Sequence, residues 1–428
     1  MTYKEIYQYL HNISSFGSIY GLERINKILE LLHHPEENLN IIHTAGTNGK
    51  GSTNAFISSV LREQGYMVFS YISPSLDQYL DRFLINGQPI TENIFELVMP
   101  KVIEIAKNIE QTSLGHPTIF EMEVACSYLL AQYFNADFMI QETGLGGRLD
   151  ATNAISSPLI TIITSISKDH LNILGDTLEK IAKEKAGIIK HQRPVILYDN
   201  GELNTIFIDK AKELEAPLQI VNFSNIQDTS TLTLTSFSYY NQNYNLGLHG
   251  THQVKNGFVA LMTLFQLRKE GYSIDDKAIL NGLKSVVWKG RFEQIMDNPI
   301  VYLDGAHNED SVSVLLNNLN NRHKKAYHIF ILHVYADKDV KSILKQLSTF
   351  PNEIICTSIY NERSLSAKNL YNLAKNIIPT NKLFLELSLR GAITLSLQHA
   401  NIHRNTVITI LGSLSHLEKS RNIIMEEK

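Results

Sequence analysis

Cysteine is scarce in this chain. Two occur in 428 residues, Cys126 and Cys356, with no C-x-x-C spacing. A disulfide framework and a structural zinc site are both excluded, and a reducing cytoplasm is the expected compartment. Long apolar runs are also missing. The longest buried-looking stretch, 159–166, is strand-sized, well short of the ~18–20 apolar residues that a membrane helix needs. Nor does one sign of charge dominate: 39 Lys plus Arg against 43 Asp plus Glu leave a net charge of −4. That balance argues against nucleic acid and membrane as partners, and leaves room for a local basic pocket that takes a small anion. The first thirteen residues mix acidic and polar side chains with apolar ones. They are expected to form an amphipathic helix rather than a secretory signal.

What is present fits a folded α/β protein. Apolar residues make up 43% and charged residues 19%, and the length suggests two or three domains at roughly 100–200 residues each. No internal repeat or low-complexity segment is visible. Strand-like runs alternate with helical stretches over most of the chain, the pattern of a largely parallel sheet. A strand over 40–44 leads into a glycine-rich loop and a helix over about 52–64, with Gly65 as its cap. A helix over about 120–134 precedes the strand 138–141, and a further strand falls in 159–166. Asp176 is expected to cap the helix that begins at Thr177, and Gly187 to end it. The stretch 231–246 reads as a β-hairpin turning at Asn241-Gln242-Asn243. A helix follows over about 255–269. The best boundary lies near Asp297-Asn298-Pro299, dividing the chain into 1–296 and 297–428.

The strongest chemical signal is Thr44-Ala-Gly-Thr-Asn-Gly-Lys-Gly-Ser52, which follows a strand and opens a helix. Backbone N–H groups in such a loop point inward and the helix dipole adds positive charge, so the loop suits phosphates. Lys50 adds a full charge, and the Ser52 hydroxyl can ligate Mg²⁺. The spacing departs from a strict phosphate-loop pattern: Thr44 stands at the first Gly, and Gly51 separates Lys50 from Ser52. A second signal is Gln141-Glu142-Thr-Gly-Leu-Gly-Gly-Arg-Leu-Asp150. Glu142 ends a strand, where ligands of open α/β sheets bind, and a carboxylate there suits a hard cation carried by a nucleotide. A third is Ser167-Lys168-Asp169-His170 beyond the next strand. A histidine ligand is unusual for Mg²⁺ and suggests two metal positions or tolerance of Mn²⁺. The spacing alone reads Lys185 as a solvated helix lysine. Asn256 can read an adenine edge or cap a helix. Arg291 can neutralise phosphate with its bidentate fork. Asp304-Gly-Ala-His307-Asn308 again places polar groups at a strand's carboxyl end.

Together these motifs resemble the folylpolyglutamate synthase and dihydrofolate synthase family, a branch of the Mur-ligase-like ATP-dependent amide ligases. The resemblance spans nearly the whole chain. It rests on Gly21-Leu-Glu-Arg24, the 46–52 loop, Ser73-Pro74, the run 142–153, Asp169-His170 through Gly187, His252-Gln-x-x-Asn256, Gly290-Arg-Phe-Glu293, Asp304 to Asn308, Asp337-Lys-Asp339 and Gly412-Ser-Leu414. It implies a Mur-ligase-like ATPase domain with a phosphate loop and a mostly parallel sheet, followed by a smaller Rossmann-like α/β domain. It also implies roles. Thr47, Asn48, Gly49, Lys50, Gly51 and Ser52 hold ATP phosphates, with Asn256, Arg291 and Asp304 completing the nucleotide site. Ser73, Glu142 and His170 match metal-ligand positions, with two Mg²⁺ ions expected. Lys185 matches a lysine that is carbamylated in this family, which turns an ammonium into an anion with two oxygens. Ser18, Ile19, Tyr20, Thr118, Phe120 and Asp150 match the pterin and folate site, and His307 the glutamate site. Lys289, Glu309, His333 and Ser415-His416 depart from the family's usual residues, and all lie in the hinge or the second domain.

The activity so implied joins L-glutamate to the carboxylate of dihydropteroate, a folate, or both, through an acyl phosphate, with release of ADP and phosphate. A bifunctional enzyme is the first reading and a folate-only extender the second. A monomer acting on small molecules is expected. A cell-wall Mur ligase would need a sugar-nucleotide domain of about a hundred residues before the loop, and the loop begins at Gly46. From a different class, a nucleotide switch or regulatory ATPase would hydrolyse ATP without an amino-acid acceptor.

Overall fold

The computed structural model describes residues 1–13, 21–75, 78–350, 352–359, 363–403 and 405–427. The chain forms two units: Met1–Ser167 with Leu174–Gln227 and Lys255–Val286, and Lys168–Ile173 with Asp228–Val254 and Val287–Lys428. The expected boundary at 296–297 falls inside a strand of the second unit.

The first unit is built on eight strands: β1 (Ile41–Ala45), β2 (Val68–Tyr71), β3 (Phe83–Ile85), β4 (Gln88–Pro89), β5 (Phe138–Glu142), β6 (Ile160–Ile163), β7 (Val195–Tyr198) and β8 (Leu218–Val221). Their order is β4-β3-β2-β5-β1-β6-β7-β8. From β2 to β8 every neighbouring pair is parallel; β3 is antiparallel to both of its neighbours, β2 and β4. Every residue of β1 is buried, as expected of a central parallel strand covered on both faces. The unit's helices are α1 (Tyr3–Ile13), α2 (Glu23–Leu31), α3 (Lys50–Glu63), α4 (Glu92–Glu110), α5 (Ile119–Tyr133), α7 (Leu178–Ala186), α8 (Asn204–Glu213), α9 (Thr251–Lys269) and α10 (Asp276–Ser285), while the short α6 (Leu171–Leu174) falls mostly in the second unit. In α1, Ile6, Leu10 and Ile13 are buried, a spacing that puts them on one helical face. Among the described residues no helix is long and apolar enough to cross a membrane.

Two sequence expectations are corrected at element ends. Thr177, not Asp176, caps α7: its side chain accepts from the Lys180 N–H. Asp176 instead pairs with the Lys180 ammonium at 2.8 Å. The hairpin forms from β10 (Thr235–Tyr239) and β11 (Gln242–Leu246), beside the short β9 (Gln227–Asp228). Its turn residues are Tyr240 and Asn241, at φ 44° and 62°, as a two-residue turn that follows strand twist requires. Gln242 and Asn243 already pair with Tyr239 and Ser238.

The second unit holds β12 (Glu293–Asp297), β13 (Ile300–Leu303), β14 (Tyr327–Leu332), β15 (Asn352–Cys356), β16 (Leu383–Leu385) and β17 (Thr406–Leu411). The order is β12-β13-β17-β14-β15-β16, parallel except for β12 against β13. Its helices are α11 (Glu309–His323), α12 (Val340–Leu347), α13 (Ala367–Ala374), α14 (Leu389–Ala400) and α15 (Leu417–Glu426). Strand side chains alternate between two cores. Phe330 and Leu332 of β14 join one, and Ile329 and Ile331 join the other, the period-two pattern of a sheet covered on both faces.

Candidate functional site

Residues 46–49 make the turn between β1 and α3. Gly46 and Gly49 have φ of 154° and 88°, a region that side chains disfavour. Space is equally restrictive. A Cβ at Gly46 would lie 1.7 Å from Thr164 Oγ1, and one at Gly49 would lie 2.6 Å from Asn256 Oδ1. The loop is pinned along the residues that follow β6. The Thr47 N–H donates to Ser165 O at 2.8 Å, and the Asn48 amide donates to Ser167 Oγ at 3.1 Å. Thr47 Oγ1 accepts from the Ser167 N–H at 3.1 Å. No side chain caps α3, so its first-turn N–H groups and dipole suit an anion.

Two lysines converge on this loop. Lys50 Nζ donates to Gly46 O at 3.1 Å and lies 3.7 Å from Glu142 Oε1. Lys185 Nζ donates to the same carbonyl at 2.7 Å. Lys185 is 4% exposed, which overturns its reading as a solvated helix lysine. The Lys50 ammonium and the uncapped α3 N-terminus supply positive charge that suits a phosphate. Thr44↔Glu142 and Tyr71↔Gln141 are register partners. The loop after β1, Glu142 at the end of β5 and Ser73 just beyond β2 therefore share one sheet edge. With the buried Ser52, these residues offer only oxygen donors, the set a hard divalent cation takes, so Mg²⁺ fits. Asn256 belongs to the same unit, and its side chain approaches Gly49.

Ser18, Ile19 and Tyr20 lie outside the described residues. Thr118 caps α5 and exchanges hydrogen bonds with Glu121 in a capping box. The Phe120 ring is packed so close to Gly144 that a Cβ there would lie 2.5 Å from it. Asp150 is buried. Its Oδ2 accepts from the Leu145 N–H at 2.7 Å, and its Oδ1 from the Thr152 N–H at 3.0 Å and hydroxyl at 2.5 Å. Burial raises its carboxyl pKa, and these bonds to the charged form oppose the rise.

His170 falls in the second unit. There Asp169 gathers a polar cluster that the sequence reading missed. Lys338 Nζ donates to Asp169 Oδ1 at 2.7 Å, and His307 Nε2 lies 3.4 Å from Asp169 Oδ2. Lys338 Nζ is 3.4 Å from His170 Nε2, and His170 Nδ1 is 3.7 Å from Asp337. Burial would raise the Asp169 carboxyl, but the His307 hydrogen bond and the Lys338 charge hold it well below the usual range. Burial pushes His170 down to about 4. The motif Asp337-Lys-Asp339 was visible in sequence, but the partner of its lysine was not. Asp304 accepts from the Phe292 and Ala306 N–H groups, each at 2.8 Å. Burial raises its carboxyl, with Arg291 opposing.

Residues 44–264 match the Mur ligase middle domain, and residues 290–414 match the Mur ligase glutamate ligase domain. A dihydrofolate synthase/folylpolyglutamate synthase of Bacillus subtilis is 36% identical, over 87% of this chain and 89% of the relative. The solved structure of Escherichia coli FolC in complex with DHPP and ADP superposes with a TM-score of 0.88 at 26% identity, covering 100% of this chain and 98% of that one. A bifunctional folylpolyglutamate synthase/dihydrofolate synthase of Yersinia pestis, complexed with AMPPNP and Mn ion, gives 0.84 at 26% identity over the same shares.

Proposed function

Because the chain belongs to the dihydrofolate synthase/folylpolyglutamate synthase family of Mur ligases, we propose that it is an ATP-dependent ligase that joins L-glutamate to the carboxylate of dihydropteroate and extends folate polyglutamates. The observation that carries this reading is the meeting of Lys50, Lys185 and Glu142 at the glycine loop. The acid's carboxylate attacks the γ-phosphorus of ATP, and ADP leaves with the bond to that phosphorus. The glutamate amine then attacks the acyl phosphate carbonyl. The C–N bond forms, phosphate leaves, and the amine gives up a proton.

Both first reactants are anions, so the site must offset their repulsion before an in-line approach is feasible. Lys50 and the α3 N-terminus do this for the phosphates. Ser52, Ser73 and Glu142 would hold Mg²⁺, which when bound would supply charge neutralisation at the phosphate oxygens. His170 would be a further ligand in this reading, and Lys185, once carbamylated, would offer two more oxygens. Asn256, Arg291 and Asp304 hold the nucleotide. Thr118, Phe120 and Asp150 hold the pterin, and His307 serves glutamate.

The test is phosphate release from ATP with and without dihydropteroate plus glutamate. Release that needs both is expected. Release independent of both would sink the ligase reading and leave an ATPase. Replacing dihydropteroate by a reduced folate then separates the bifunctional enzyme, active on either acid, from a folate-only extender.

A further inference from the structure

His43 lies on the central strand β1 and is fully buried. Its Nε2 is 2.9 Å from Thr152 Oγ1, and the Thr152 hydroxyl donates to Asp150 Oδ1 at 2.5 Å. With Asp150 ionised, the Thr152 hydroxyl gives its one proton to Oδ1, so toward His43 its oxygen can only accept. The proton of a neutral imidazole must then sit on Nε2. The other ring nitrogen, Nδ1, is buried with no hydrogen-bond partner among the described residues, as a bare acceptor in that tautomer would be. Burial, with the Lys190 charge, pushes the ring down to about 3, so the neutral form prevails at any ordinary pH.

We propose that His43 is a positioning residue for the acid substrate: through the Thr152 hydroxyl it fixes the Asp150 carboxylate and keeps it an ionised acceptor for the ring N–H donors of a pterin. This rests on the pterin reading of Asp150 given above. The physical need is specific. A pterin edge presents N–H donors, and a protonated Asp150 would turn a donor toward a donor. Asp150 is buried, which favours its neutral form. Each hydrogen bond to the carboxylate works against that protonation. Without a donor at position 43 the Thr152 oxygen would hold an unpaired buried lone pair, and its hydroxyl would be free to swing off Asp150. An imidazole that presents N–H to Thr152 removes that alternative. The relay also ties the Asp150 loop to the strand that carries the phosphate loop, so that acid and nucleotide are placed from one rigid element.

The test uses the intact enzyme and varies dihydropteroate and ATP separately. Thr152→Val is expected to raise KM for dihydropteroate about tenfold, the effect of losing one hydrogen bond to a charged group, with KM for ATP within about twofold. The acid limb of kcat/KM for dihydropteroate should move to higher pH, because the charged form of Asp150 loses a donor. Thr152→Ser should restore both. His43→Leu should shift both in the same direction, and His43→Gln, whose amide N–H can donate, should recover part of the loss. Independently of any variant, imidazole nitrogen shifts of the wild-type protein should report His43 as the Nε2–H tautomer. An Nδ1–H tautomer would overturn the proposal. So would variants that raise both KM values together and leave the pH limb in place. Asp150→Asn separates the two levels. If it leaves KM for dihydropteroate unchanged, the pterin reading itself fails. If it raises that KM while Thr152→Val and His43→Leu do not, the relay alone fails.

Discussion

Lys190 donates to the Asn153 carbonyl at 3.1 Å. Burial pushes its ammonium from 10.5 to about 8. Between those values the unfolded chain binds more protons than the folded one, so stability rises with pH across that window and is lower below it. Partial exposure screens the effect to on the order of 1 kcal/mol. Lys190→Met should therefore raise stability by about that amount below pH 8 and flatten the slope above it. Denaturant unfolding on either side of the window checks this, and an unchanged slope would show that the burial carries no such penalty. Other residues show how local spacing misleads. Lys185 reads as a surface lysine and is buried against Gly46. His333 and His416 stand out in sequence only as separate departures from a family pattern. In the fold both are fully buried, with their rings 4.9 Å apart and nearly perpendicular.

At the scale of elements, α3 and α10 pack without room to spare. A Cβ at Gly282 would lie 2.5 Å from Val60 Cα and 2.8 Å from its backbone nitrogen, and backbone atoms cannot step aside as a flexible side chain could. Gly282→Leu should cost about 2 kcal/mol, in the range of overpacked cores. The urea midpoint would report it, and a midpoint equal to wild type would mean that α10 shifts freely on α3. Element existence was largely legible. The β1–loop–α3 unit, α5 and β5 fall within a residue or two of their expected places, because hydrophobic periodicity and the Thr118–Glu121 capping box are local signals. Ends were less so. Asp176 and Thr177 are both good caps by residue type, and the outcome turned on Asp176 engaging the Lys180 side chain while Thr177 took its backbone N–H.

For the whole molecule, the second unit begins before its first parallel strand. β12 adds an antiparallel edge to β13. Phe292 stacks on Tyr302 with ring centroids 4.3 Å apart, inside that unit's core. A fragment beginning at 297 loses both, whereas one beginning at 287 keeps them. The longer fragment should show the higher unfolding midpoint by thermal or denaturant melting; equal midpoints would mean that β12 and Phe292 contribute little to the unit. The sequence by itself determined what is short-range: the alternation of strand and helix, the glycine turn that needs left-handed backbone, and the oxygen-bearing residues at strand ends. Only the tertiary structure decided which of these meet. Strand order places β5 beside β1, and so Glu142 beside Lys50. Chain return, not spacing, brings Lys185 onto Gly46, Lys338 onto Asp169 and Thr152 between His43 and Asp150. The physical reason is that such contacts depend on how layers pack, and the packing surplus is shared over many residues rather than written at the few that carry the chemistry.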